Sequence, residues 1–127
     1  MDRASDMRAL ADRFFPAVIA GDIDAVRSMY GPDAVIWHAH TNRTQSVEEN
    51  LRTLGFIAKH VTGFRYDDRR CESTETGFIE QHVVRGTTSG AVEFSIPACI
   101  VCTVVGGRVT RLAEYFDSAA AAPLLGD

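Results

Sequence analysis

Gly107-Arg108-Val109-Thr110-Arg111-Leu112-Ala113-Glu114-Tyr115-Phe116-Asp117 is the stretch on which the fold turns. It follows a further glycine, Gly106, and alternates residue by residue. Side chains of a strand point alternately to opposite faces. One parity carries Thr110, Leu112, Glu114 and Phe116; the other carries Val109, Arg111, Ala113, Tyr115 and Asp117. Leu112 and Phe116 mark the first parity as the core face, which puts Glu114 among apolar neighbours. A carboxylate placed there must be paired, neutralised or used, and burial raises its pKa.

Working back from this strand, the period of two extends to Phe64. Strands are expected over Phe64–Ser73, Phe78–Thr88 and Ala91–Val105, with turns at 74–77, Ser89-Gly90 and Gly106-Gly107. Pro97 predicts a bulge or bend in the third of these, and connections this short imply antiparallel neighbours. Before Phe64 the period is that of a helix. Met7, Leu10, Ala11, Phe14 and Val18 share one face of a helix over 5–20, with a kink expected at Pro16 and a stop at Gly21. Asp22 caps a second, short helix carrying Ile23, Val26 and Tyr30. Gly31-Pro32 ends it, and Ala34–His40 reads as a strand. A polar loop, Thr41–Gln45, leads to a capping box, Ser46 with Glu49. The helix behind it has Val47, Leu51, Leu54, Ala58 and Val61 on one face and ends at Gly63. Ser118–Asp127 reads as a tail. The expected fold is α+β: three N-terminal helices on a strongly curved antiparallel sheet that forms a cone-shaped pocket.

Bulk composition fits one domain over 1–127, with 46% hydrophobic and 24% charged residues. A net charge of −4 lacks the basic footprint of a nucleic-acid partner. No apolar run reaches the ~20 residues of a membrane span. Charges at the N-terminus sit where a signal peptide needs an apolar core, so a cytoplasmic protein is expected. Cys71, Cys99 and Cys102 are an odd set. Cys99 and Cys102 fall on opposite faces of a strand and read as small buried residues rather than a redox or zinc motif. His38 and His40 share a strand face, but no glutamate follows at a ligating spacing, and no metal or other cofactor is expected.

The element order resembles that of the nuclear transport factor 2-like superfamily, which includes ketosteroid isomerases, scytalone dehydratase, limonene epoxide hydrolase and the SnoaL-type polyketide cyclases. Ala20-Gly-Asp-Ile-Asp-Ala-Val-Arg-Ser-Met-Tyr-Gly-Pro-Asp-Ala-Val-Ile-Trp-His38 looks like the short-helix-to-first-strand segment of these proteins. Gly107–Asp117 is similar to the last strand of the SnoaL-like members. The resemblance implies the cystatin-like α+β barrel and a homodimer built on the outer sheet face, where Val101, Val109 and Tyr115 share a parity. It also places His38 where ketosteroid isomerases keep a carboxylate base. Their polarising tyrosine would fall near Phe14, and their protonated aspartate near Cys99 or Ile100. Neither position offers a comparable donor, which argues against steroid isomerisation. The Asp-Arg-Asp set of limonene epoxide hydrolase is not matched either, since Arg85 and Arg111 occupy the outward parity.

A histidine-and-carboxylate kit remains. In Phe78–Val84 the inward parity carries Glu80 and His82, and His38 shares its parity with Ala34 and Ile36. His38, His82 and Glu114 are expected to converge on one cavity, with Tyr30 arriving from the second helix. These four are the candidate catalytic residues: histidine exchanges protons near neutral pH, and a carboxyl in an apolar wall can donate as well as accept. Phe14, Ile36, Trp37, Leu54, Phe94, Leu112, Phe116 and Asp117 are the candidate pocket residues. Such a kit suits a cofactor-free isomerase, dehydratase or cyclase for a small, mostly apolar cyclic carbonyl compound, polyketide- or steroid-like. The competing reading is a ligand-binding or dimeric assembly module. On that view the histidines merely satisfy the core, Glu114 pairs with Arg70 or Arg13, and Trp37 and Tyr115 only pack. A cavity of a few hundred Å³ in which the three groups meet separates the two.

Overall fold

Asp2 accepts a hydrogen bond from Ser5 N and so starts α1 (Arg3–Ala20) in the computed structural model, which describes residues 2–125. Met1 and the last two residues of the expected tail, Gly126 and Asp127, lie outside that range. Pro16 does not interrupt α1, which closes on Gly21 in the left-handed conformation at φ +69°. Asp22 caps α2 (Ile23–Met29) through Ala25 N. The chain then enters β1 (Tyr30–His38) directly. Tyr30 therefore lies on the strand rather than the helix, because its backbone is already extended. The stretch expected as a polar loop contains β2 (Arg43–Gln45), hydrogen-bonded to the end of β1. The capping box forms with both of its bonds and opens α3 (Val47–His60). Then come β3 (Thr62–Ser73), β4 (Gly77–Thr87), β5 (Glu93–Val105), β6 (Arg108–Phe116) and α4 (Ala122–Leu125). No helix among the described residues is long and apolar enough to cross a membrane.

The six strands make one sheet in the order β2-β1-β6-β5-β4-β3. All neighbours are antiparallel except β1 and β6, which run parallel with Ile36 beside Leu112 and His38 beside Glu114. Short connections had implied antiparallel pairing, and it holds wherever a short turn joins the partners. The β5–β6 turn is tight: Val105 pairs with Arg108 across Gly106 and Gly107, both at positive φ as a two-residue hairpin needs.

Two of the sheet's four register irregularities bear on which side chains face inward. The β5–β6 register slips between Thr103 and Val104, so Val104 pairs with Val109. Val109 is therefore fully buried rather than on the outer face, and strict alternation along β6 fails before Thr110. In β3 the register slips between Asp67 and Arg70, with Asp68 at φ +58°. Pro97 causes neither bulge. The β4–β5 register runs through it unbroken, and β6 pairs with β5 only from Ala98 onward. The imino nitrogen of Pro97 thus removes no bond to β6.

The concave face closes at one end and opens at the other. Leu10, Phe14, Phe15 and Val18 of α1 pack on Ile36, Phe78, Ile100 and Leu112. Toward the opposite end a smaller cluster forms from Val84, Phe94, Ile96, Ala98 and Ala121. The expected tail supplies Ala121, so it belongs to the wall.

Candidate active site

The parallel register sets His38 beside Glu114 at the sheet's inner face, with no side chain between them. His38 Nδ1 lies 3.1 Å from Glu114 Oε1. The other ring nitrogen, Nε2, lies 3.1 Å from Gln45 Oε1. Gln45 comes from β2, where its register partner is the inward Ile36. Its amide oxygen also accepts from Asn50 Nδ2 at 3.3 Å, and Asn50 Oδ1 accepts from the Tyr30 hydroxyl at 2.8 Å. Gln45 Nε2 donates to Thr53 Oγ1. An oxygen receiving two nitrogens leaves His38 Nε2 with its hydrogen, so a proton is shared between Nδ1 and Glu114. The hydrogen bond to Glu114 holds the His38 pKa above its ordinary 6.5, against the opposing pull of burial. The two groups are thus held as one hydrogen-bonded pair that shares a proton.

Glu114 Oε2 has no protein partner. His82 Nε2 is the sole buried side-chain nitrogen or oxygen left unbonded among the described residues, so Glu114 Oε2 is open to the cavity. That cavity has a volume of about 530 Å³, within the range of small-molecule sites. His38, Gln45, Asn50 and Glu114 form its polar side together with His40, Thr41, Arg43, Thr44, Glu49 and Thr53. Leu54, Ile57, Phe64, Val84, Ile96 and Phe116 form most of the rest, with Leu124 and Leu125 of α4 at the rim. Tyr66 adds a polar group to the otherwise apolar side. Its hydroxyl is likewise unbonded and open to the cavity. Burial, reinforced by the Glu114 and Glu80 charges, pushes the phenol pKa far above its usual value, so Tyr66 stays a neutral donor.

His82 does not join this group. Its Nδ1 lies 2.9 Å from Glu80 Oε2. Glu80 is fully buried and receives Arg69 Nε at 2.7 Å and Nη2 at 3.3 Å. The bulge in β3 adds the residue that lets Arg69 reach inward. Charge satisfaction thus holds His82 in a separate ion-paired cluster, roofed by the Tyr66 ring at 3.8 Å and 14°. Tyr30 joins only at a distance, through Asn50 and Gln45. Glu114 pairs with His38, not with Arg70 or Arg13.

Of the candidate pocket residues, Leu54 and Phe116 line the cavity. Phe14, Ile36 and Leu112 are in the closed core instead, because α1 packs down on that end of the sheet. Phe94 belongs to the cluster behind the wall. Trp37 falls on the opposite sheet face, its Nε1 donating to Asn42 Oδ1 and its ring against Tyr115. Asp117 accepts from Ala119 N and Ala120 N and so begins the C-terminal turn. His40 packs on Phe116 at the cavity edge, and no metal-ligating cluster occurs among the described residues. Gln45, Asn50 and Tyr66 were missed. Two of them had a signal: Asn50 shares a helix face with Val47, Leu51 and Leu54, and Tyr66 shares its parity with Phe64.

N-terminal helices packed on a curved sheet that opens as a cone are the arrangement the resemblance implied; the parallel pairing of the first strand with the last is an addition of the structure. Residues 11–112 match the family model described as SnoaL-like domain. The chain belongs to the SnoaL-like family. Solved structures agree in fold. A SnoaL-like protein from Shewanella putrefaciens superposes with a TM-score of 0.81 at 14% identity, covering 94% of this chain and 96% of that one. An epoxide hydrolase of the limonene type from M. tuberculosis gives 0.80 at 18% identity, covering 99% and 100%. A nuclear transport factor 2-like protein from Burkholderia xenovorans gives 0.77 at 18% identity, covering 94% and 95%. No curated protein matches the sequence. At these identities the likeness is one of fold. What this SnoaL-like domain does must be argued from its own cavity.

Proposed function

We propose that this SnoaL-like domain is a cofactor-free acid–base enzyme, an isomerase, dehydratase or cyclase, for a small, mostly apolar cyclic carbonyl compound. The observation that carries the reading is Glu114: a carboxyl group with one oxygen on His38 and the other open to a cavity of about 530 Å³ that is polar on one side and apolar on the other. His38 has neighbours on both nitrogens, so Glu114 Oε2 is the atom that meets the substrate. It takes a proton from the carbon next to the carbonyl. The C–H electrons move into an enolate whose oxygen accepts a hydrogen bond from the Tyr66 hydroxyl, the donor that Phe14 cannot supply. Glu114 then returns the proton at another carbon, or to a hydroxyl that leaves as water, or, where the enolate carbon bonds to a second carbonyl carbon, to the alkoxide oxygen that this forms. His38 stabilises the charge on Glu114 and fixes its orientation; Gln45, Asn50 and Tyr30 fix His38.

Proton abstraction is common to all three outcomes and can be measured without the natural substrate. In deuterium oxide the protein should accelerate exchange of the ring protons next to the carbonyl of 2-tetralone, followed by NMR. Glu114→Gln should keep the fold and lower that rate at least tenfold, the scale of one acid–base group. Exchange no faster than in buffer, or unchanged by the substitution, would leave the binding-module reading in its place.

A further inference from the structure

His82 Nε2 is the buried atom that finds no partner, in a side chain that is 0% exposed. Its other nitrogen faces Glu80, which Arg69 holds as a carboxylate. A carboxylate only accepts, so Nδ1 carries a ring hydrogen, and in the neutral ring Nε2 is then a bare lone pair. Leaving such an acceptor unmet in the interior is costly and calls for an explanation. Its neighbours supply one. Val84 is two residues along β4 from His82, Ala98 is its register partner on β5, and Phe116 pairs with Ala98. Tyr66 covers the ring face. All four line the cavity, although His82 does not. His82 therefore lies one layer beneath the cavity floor, beside a residue with only a methyl side chain, and borders a separate, shallower cleft with Asp68, Arg70 and Pro97 on its other side.

Resting on the cavity as a ligand site, we infer that His82 Nε2 is a second recognition point that accepts a hydrogen bond from a ring hydroxyl of the ligand. A shift of the Tyr66 or Phe116 ring opens the way to it. The ligand class narrows accordingly, from cyclic carbonyl compounds in general to those that also carry a phenolic or enolic hydroxyl. The cluster of Arg69, Glu80 and His82 then has a purpose: it fixes the tautomer that presents an acceptor rather than a donor.

Two probes of one shape test this, 2-naphthol and 2-methoxynaphthalene, followed through the ring-nitrogen NMR signals of nitrogen-15 histidine-labelled protein. In the free protein His82 Nε2 should give the signal of an unprotonated, unbonded nitrogen. Saturating 2-naphthol should move it toward the hydrogen-bonded position, and 2-methoxynaphthalene should not. Affinity should favour 2-naphthol by about tenfold, the worth of one hydrogen bond, and His82→Phe should abolish that preference. Movement of the His38 signals alone would overturn the subsite while leaving the cavity as a ligand site. An Nε2 already hydrogen-bonded or protonated in the free protein, or no saturable change at either histidine, would overturn it as well.

Discussion

His38 is fixed from both sides, by Glu114 at one ring nitrogen and Gln45 at the other. Because Glu114 raises its pKa, the folded state binds the proton more tightly than the unfolded chain. The linkage has a definite sign: the stabilisation is fully present below the unfolded value of about 6.5 and is lost as pH rises through the higher folded value. The gap in urea midpoint between wild type and His38→Gln should therefore be widest on the acid side of that window and shrink toward alkaline pH. A gap that widens with pH would refute the stabilisation of protonated His38 by Glu114. Tyr66 makes a separate claim. Tyr66→Phe should lower the tetralone exchange rate about tenfold or more by removing the oxygen's donor, with little change in KM. An equal loss in Leu54→Ala, which alters only apolar wall, would show that shape rather than hydrogen bonding was responsible.

At the level of elements, periodicity was legible and register was not. The alternation Phe78, Glu80, His82, Val84 gives the inward face of β4 correctly, and the capping box gives the start of α3. Alternation cannot foresee a residue inserted into a ladder, and two such insertions reassign Val109 and Arg69. The same limit separated His82 from the site. Its parity was right, but the partner that holds it arrives through the β3 bulge. Gln45 was hidden for another reason: three polar residues read as loop until β1 offers an edge to pair with. Arg69 gives a direct test of what the bulge does. Arg69→Met should cost about 3–5 kcal/mol in urea denaturation, since it strands the buried Glu80 charge. Adding Glu80→Gln should restore most of that stability. If Arg69→Met is nearly neutral, the cluster is not held by the ion pair.

On the scale of the whole molecule, the outer sheet face keeps Val101 and Tyr115 exposed, the latter 46%, with Trp37 against it. Covering these by a second copy is the homodimer the resemblance implies. Light scattering should give twice the chain mass, falling to one on Tyr115→Glu; a monomeric wild type would dismiss it. Ending the chain at Asp117 removes Leu124 and Leu125 from the rim and should weaken naphthalene-probe binding while the sheet persists. The parallel pairing of β1 with β6 reaches further than architecture. Glu114 and His38 stand 76 residues apart in sequence, so the proton-transfer pair cannot exist until β1 and β6 have been brought together across everything between them. Contacts of such separation are slow to close. Activity should then be the last property to appear on refolding and the first to vanish on partial opening, a built-in reporter of whether the fold is complete.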